Sequence, residues 1–195
     1  MDMNPHSTVK SISSLHSVPP TPRLWGLALI TRNLYLSNAV ASHNQSLLQA
    51  GGVTCIISVT PEVISSMFPS TEYINIPVAD SPSAQLKEYF DMVADKIHLV
   101  ESLHGRTLLH CAAGISRSPT LCLAYLMKYH QMSLLGAHAW LKACRPIIRP
   151  NSGFWKQLIE YEDGLFGKSS IKMVMSPLGV IPDIYEEETR GMIPC

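Results

Sequence analysis

The chain has 195 residues, no formal net charge, 46% hydrophobic residues and 15% charged ones. That is enough chain for one domain with a sizeable core, and the neutral balance excludes bulk electrostatic attraction to nucleic acid or acidic membranes. There is no secretory signal and no apolar run near the length of a transmembrane segment. Residues 1–23 are rich in Ser, Pro and Thr without any period, which predicts a disordered lead-in. The run NLYLS (33–37) predicts a short strand, and HNQSLLQAGG (43–52) a short helix closed by glycine. VTCIISV (53–59) is a continuous β-branched run, as in a strand buried on both faces. YINIPVAD (73–80) predicts another strand leading into a loop.

Pro82 and Ser83 then open a predicted helix. Leu86, Phe90, Val93, Ile97 and Val100 recur at spacings of four and three, giving one apolar face that ends near Gly105. TLLHC (107–111) is a short buried strand. A helix is expected from Ser116 onward, with Pro119 tolerated in its first turn. Ser133 can cap a further helix through Cys144, and Asn151 a last one with Phe154, Leu158 and Leu165 on one side. Strands alternating with helices predict an α/β fold, a mostly parallel central sheet flanked by helices. Residues 24–167 are expected to form this domain, and 168–195, with its prolines and acidic run, an extended tail packed on it or a disordered one.

The chemistry gathers in LLHCAAGISRSPT, which begins at Leu108. A thiol, Cys111, and a guanidinium, Arg117, stand six positions apart where a strand passes into a helix. Ligands of open α/β sheets bind at such junctions. The amides of Ala112, Ala113, Gly114, Ile115, Ser116 and Arg117 can converge on one point, at which the following helix directs its positive end. The small residues at 112–114 let the backbone come close to a ligand. This arrangement suits a phosphate dianion, with Arg117 adding a bidentate contact. The same field favours a thiolate at Cys111, placed as an in-line nucleophile. Ser118 can donate a hydrogen bond to the sulfur as it leaves. His110 either fixes the loop by hydrogen bonding or moves a proton. A phosphate ester also needs its leaving oxygen protonated, and Asp80, on a loop between strand and helix, is the candidate acid, unless it only caps that helix.

These motifs resemble a known family. HCAAGISRS (110–118) is similar to the HCxxGxxRS signature of cysteine-based protein phosphatases, and VAD (78–80) resembles the acid loop of their dual-specificity branch. RPIIRPNSGFWKQL (145–158) resembles the segment after the signature, where the family's asparagine supports the phosphate loop; here that is Asn151. The tail KMVMSPLGVIPDIYEEE resembles the small atypical members of the MAP-kinase phosphatase 6 type. The resemblance implies hydrolysis of phosphotyrosine, phosphoserine and phosphothreonine in proteins through a phosphocysteine, without metal or cofactor, with MAP kinases as substrates. The uncharged loop positions Ala112, Ala113, Ile115 and Ser116 argue against a polyanionic lipid headgroup. A phosphate-binding scaffold without turnover, or a phosphatase of RNA ends or carbohydrates, are the alternative readings. The five cysteines form no CxxC pair and no zinc-ligand spacing, so reduced thiols and a cytoplasmic or nuclear location are expected. Cys55, on a neighbouring buried strand, is a candidate partner for oxidised Cys111.

Overall fold

The computed structural model describes residues 21, 26–62 and 68–192; the predicted lead-in lies outside them, Thr21 apart. Five strands form the central sheet: β1 (Ala28–Thr31), β2 (Leu34–Asn38), β3 (Cys55–Ser58), β4 (Glu72–Asn75) and β5 (Thr107–Cys111), in the order β1-β2-β5-β3-β4. Only the β1–β2 pair is antiparallel; the other pairs are parallel, as the alternation of elements predicts. β1 was not anticipated. Its signal is the pair Arg32-Asn33 between two apolar runs, which closes a hairpin.

β5 sits at the centre, and all five of its residues are buried. Its period of two sends Leu109, with Ile57 beside it, to one face of the sheet, and Leu108, with Ile56, to the other. The Leu109 face carries the main core. It is covered by α3 (Phe90–Ser102), α4 (Arg117–His130), α5 (Leu134–Cys144) and α6 (Ser152–Phe166). The Leu108 face meets α1 (Ala39–Ser42) and α2 (Gln45–Gly51), whose Ala41 and Leu48 join a small second cluster. α4 is buried almost throughout, from Arg117 to Met127, so the helix behind the phosphate loop is rigidly held. Ser133 and Asn151 cap α5 and α6 as their sequences predict, accepting from Gly136 N and Phe154 N.

Three expectations need correction. The helix predicted from Pro82 begins later, as a 3-10 turn over Lys87–Tyr89 that runs into α3. Tertiary contacts hold residues 80–86 outside the helix. Gln157 of α6 accepts from Lys87 N at 2.8 Å and donates to Ala84 O at 2.8 Å. A Cβ on Gly153 would collide with the Pro82 carbonyl, so this loop lies directly on the start of α6. Leu165 is 37% exposed, because α6 has run past the core by that point; its inward face is Phe154, Trp155, Leu158, Tyr161 and Glu162. The tail, expected as extended chain packed on the domain, carries elements of its own. It folds as a hairpin, β6 (Met173–Ser176) and β7 (Gly179–Pro182), followed by a 3-10 turn (Asp183–Tyr185) and α7 (Glu186–Thr189). Ile171, Tyr185 and Thr189 are its buried anchors.

Candidate active site

Cys111 ends β5 with 1% of its surface exposed. Its Sγ accepts from Gly114 N at 3.3 Å and from Ser118 Oγ at 3.2 Å. The loop from 111 to 117 is shaped by where its carbonyls go. Ala112 O accepts from Ala39 N at 3.1 Å, and Ala113 O from Arg145 Nη2 at 3.2 Å. Gly114 O accepts from Arg145 Nε at 2.9 Å, and Ile115 O from Arg149 N at 2.7 Å. Four successive carbonyls are thus bonded to groups outside the loop. Because a peptide unit is planar and trans, a carbonyl turned out turns the following N–H in. The loop amides are therefore left facing the space above the thiol, an anion-binding nest. Gly114 is required for this turn. Its φ is +68°, and a Cβ there would collide with the Ser37 carbonyl.

Arg117 begins α4 and is 8% exposed. Its Nη1 donates to Val78 O at 3.2 Å, which fixes the guanidinium beside the loop that carries Asp80. Asp80 does not cap a helix: the residues that cap the 3-10 turn and α3 are Leu86 and Tyr89. Its Oδ1 instead accepts from Ser116 Oγ at 2.7 Å and from Asn151 Nδ2 at 2.8 Å, and its Oδ2 lies 3.8 Å from Arg117 Nε. Asn151 N donates in turn to Ser116 Oγ at 3.2 Å. Asn151 therefore serves twice, capping α6 with one side-chain atom and holding Asp80 with the other. Ala112, Ala113 and Ile115 stay exposed around the mouth, so the rim of the loop carries no charge.

His110 is buried, and its ring Nδ1 lies 3.4 Å from Cys111 O. Burial pushes its pKa down to about 4, so the imidazole is neutral at pH 7. Cys55 is out of reach of Cys111. It pairs with Thr107, four residues back along β5, which at about 3.3 Å per residue puts it roughly 13 Å away, beyond the limit for a disulfide. Burial also pushes the Cys55 thiol up to about 11.

Sequence reasoning missed two residues that shape this site. Arg145 is 1% exposed and buttresses the loop through two carbonyls; burial lowers its pKa, and the nearby Cys111 opposes that shift. Gly153 lets the Asp80 loop come down on α6. The signal for Arg145 was a cation directly after a helix and before an apolar Pro-Ile-Ile, and Gly153 follows the Asn151 cap; neither has a local signature of its function.

Residues 34–164 match the family described as "Dual specificity phosphatase, catalytic domain". The chain is 59% identical to human dual specificity protein phosphatase 18 over 173 residues, 89% of this chain and 92% of that one. It is 52% identical to mouse dual specificity protein phosphatase 14 over 194 residues, 100% of this chain and 98% of that one. The crystal structure of human DUSP28 superposes with a TM-score of 0.70 at 30% identity, covering 75% of this chain and 99% of that one. With a phosphate-loop signature, a carboxylate held beside it and these relatives, the chain belongs to the dual-specificity protein phosphatases, among the small atypical members.

Proposed function

We propose that this phosphatase removes phosphate from tyrosine and from serine or threonine in proteins, with MAP kinases among its substrates, in the cytoplasm and nucleus. The observation that carries the reading of the site is the nest of inward amides over Cys111, with the Asp80 carboxyl docked at its edge. Cys111 Sγ attacks the phosphorus, the S–P bond forms and the P–O ester bond breaks. Asp80 gives its proton to the leaving oxygen; Oδ1 is occupied by Ser116 and Asn151, and Oδ2 is the oxygen available to carry that proton. The loop amides and Arg117 hold the equatorial oxygens. Water then attacks the phosphocysteine, losing a proton to the Asp80 carboxylate as the S–P bond breaks. Ser118, 3.2 Å from the sulfur, donates to the departing thiolate. His110, neutral at pH 7, and Asn151 are positioning residues, one beneath the loop and one between loop and acid.

The uncharged rim supports a phosphoprotein over a phosphoinositide, whose several phosphates call for basic side chains in the loop. The MAP-kinase reading is supported by the resemblance of the tail. A reducing compartment is supported by the chemistry, since an attacking thiolate is lost to oxidation. The test is Cys111→Ser in the full chain. It is expected to abolish turnover of an aryl phosphate while still retaining phosphorylated MAP kinase from lysate. Unchanged turnover would refute the site, and retention only of other phosphoproteins would refute the substrate.

A further inference from the structure

The C-terminal segment reaches the active site through Arg149, beside the packing of Tyr185 on Trp155 of α6 (Ser152–Phe166). Residues 149–151 form a strap under the site. Arg149 N donates to Ile115 O at 2.7 Å, Asn151 N to Ser116 Oγ at 3.2 Å, and Asn151 Nδ2 to Asp80 Oδ1 at 2.8 Å. From the other side the tail grips the Arg149 guanidinium. Its Nη1 donates to Glu188 Oε2 at 2.7 Å, and its Cζ lies 4.3 Å from the centre of the Tyr185 ring. Tyr185 is itself fixed: it is 3% exposed and packs edge-on against Trp155 of α6 and against His138 of α5. A cavity of about 240 Å³ separates Pro150, Asn151 and Ser152 from Val180 and Pro182 of the hairpin. Close packing between strap and hairpin is interrupted there, and the grip on Arg149 spans the gap beside the packing of Tyr185 on Trp155.

We propose that Glu188 and Tyr185 are positioning residues of this active site. By holding Arg149 they fix the strap, and through Asn151 the strap fixes Asp80. The inference rests on the reading of Asp80 as the acid. Neither residue touches the reacting atoms. Arg149 and Glu188 are each about half exposed, so the grip is modest and sensitive to salt. An exposed pair of this kind sets the scale of the effect at about fivefold or less.

The test uses the full chain with Glu188→Gln, Arg149→Met and the two combined, at temperatures well below melting. In Glu188→Gln, hydrogen exchange at the Arg149 and Asn151 amides is expected to rise by about threefold to fivefold. Turnover of phenyl phosphate, a poor leaving group, is expected to fall by a similar factor with KM nearly constant, and that of nitrophenyl phosphate to fall less. The double variant is expected to match Arg149→Met alone, because Glu188 acts through Arg149. Molar salt should bring the unmodified protein towards Glu188→Gln. Unchanged exchange at both amides would overturn the proposal, as would an equal fall for both substrates. Lack of turnover in the unmodified protein would instead overturn the phosphatase reading, while the exchange measurement would still decide whether the tail holds the strap.

Discussion

At Arg117 the planar guanidinium faces the acid loop with two nitrogens, Nη1 donating to Val78 O and Nε lying 3.8 Å from Asp80 Oδ2, and its fork is the group that would meet phosphate oxygens. Arg117→Lys keeps the charge and loses the fork, so turnover is expected to fall at least about 100-fold, or about 2.7 kcal/mol of transition-state stabilisation. Steady-state kinetics with an aryl phosphate checks this, and vanadate should bind more weakly in the same variant. Asp80 has a different signature. A serine or threonine alkoxide is far more basic than a nitrophenolate and needs the proton more. Asp80→Ala is therefore expected to slow a phosphothreonine peptide at least about tenfold more than nitrophenyl phosphate. Assays of both substrates on the purified variant decide it, and an equal loss would retire Asp80 as the acid. The loop was legible in the sequence, because a thiol, a glycine and an arginine at fixed spacing specify it almost by themselves, whereas Asp80 stood there with two readings. Arg145 was not legible, since its partners are main-chain carbonyls about thirty residues away.

The acid loop, at the next scale, is held by α6 and not by a helix of its own. Gly153 and Gln157, one turn apart, clamp residues 82–87 against the start of that helix. Gly153→Ala forces the Pro82 main chain away and with it Asp80. Stability is expected to fall by about 1–3 kcal/mol, the usual scale for overpacking. Turnover of poor leaving groups should fall by more than that of good ones. Thermal melts and paired kinetics measure the two effects separately; a stability loss with unchanged leaving-group dependence would mean that the loop finds its place without this contact. The same clamp explains why the helical period from Leu86 onward overestimated the helix. Leu86, Phe90 and Val93 do face the core, but Leu86 does so from a turn.

Across the whole molecule, three buried histidines, His110, His130 and His138, tie stability to pH, because burial lowers the pKa of each. Burial pushes His110 and His138 down to about 4 from the ordinary value of 6.5. Both are neutral in the fold at pH 7, whereas the unfolded chain takes up protons on them below pH 6.5. The stability they protect is present above pH 6.5 and is lost as the pH falls towards 4, by up to about 3 kcal/mol for each. Urea melts at pH 7 and pH 5 should show this loss, and His138→Gln should make it smaller. His138 lies 3.2 Å from the Tyr185 hydroxyl, so acid should loosen the tail early.

The sequence by itself determined the parallel sheet and the loop that joins Cys111 to Arg117, and it singled out Asp80 as a candidate. Those features are written in local periods, caps and short fixed spacings, which need no distant partner. Only the tertiary structure decided that Asp80 caps no helix and lies beside the loop, because Ser116 and Asn151 reach it from elements far along the chain. It also decided that Cys55 stands at the wrong end of its strand to meet Cys111, since register is a property of two strands together. The tail belongs to the same class: MVMSPLGVIP becomes a hairpin, and its following turn and helix become a grip on Arg149, only once Trp155 and His138 provide the surface on which Tyr185 is buried.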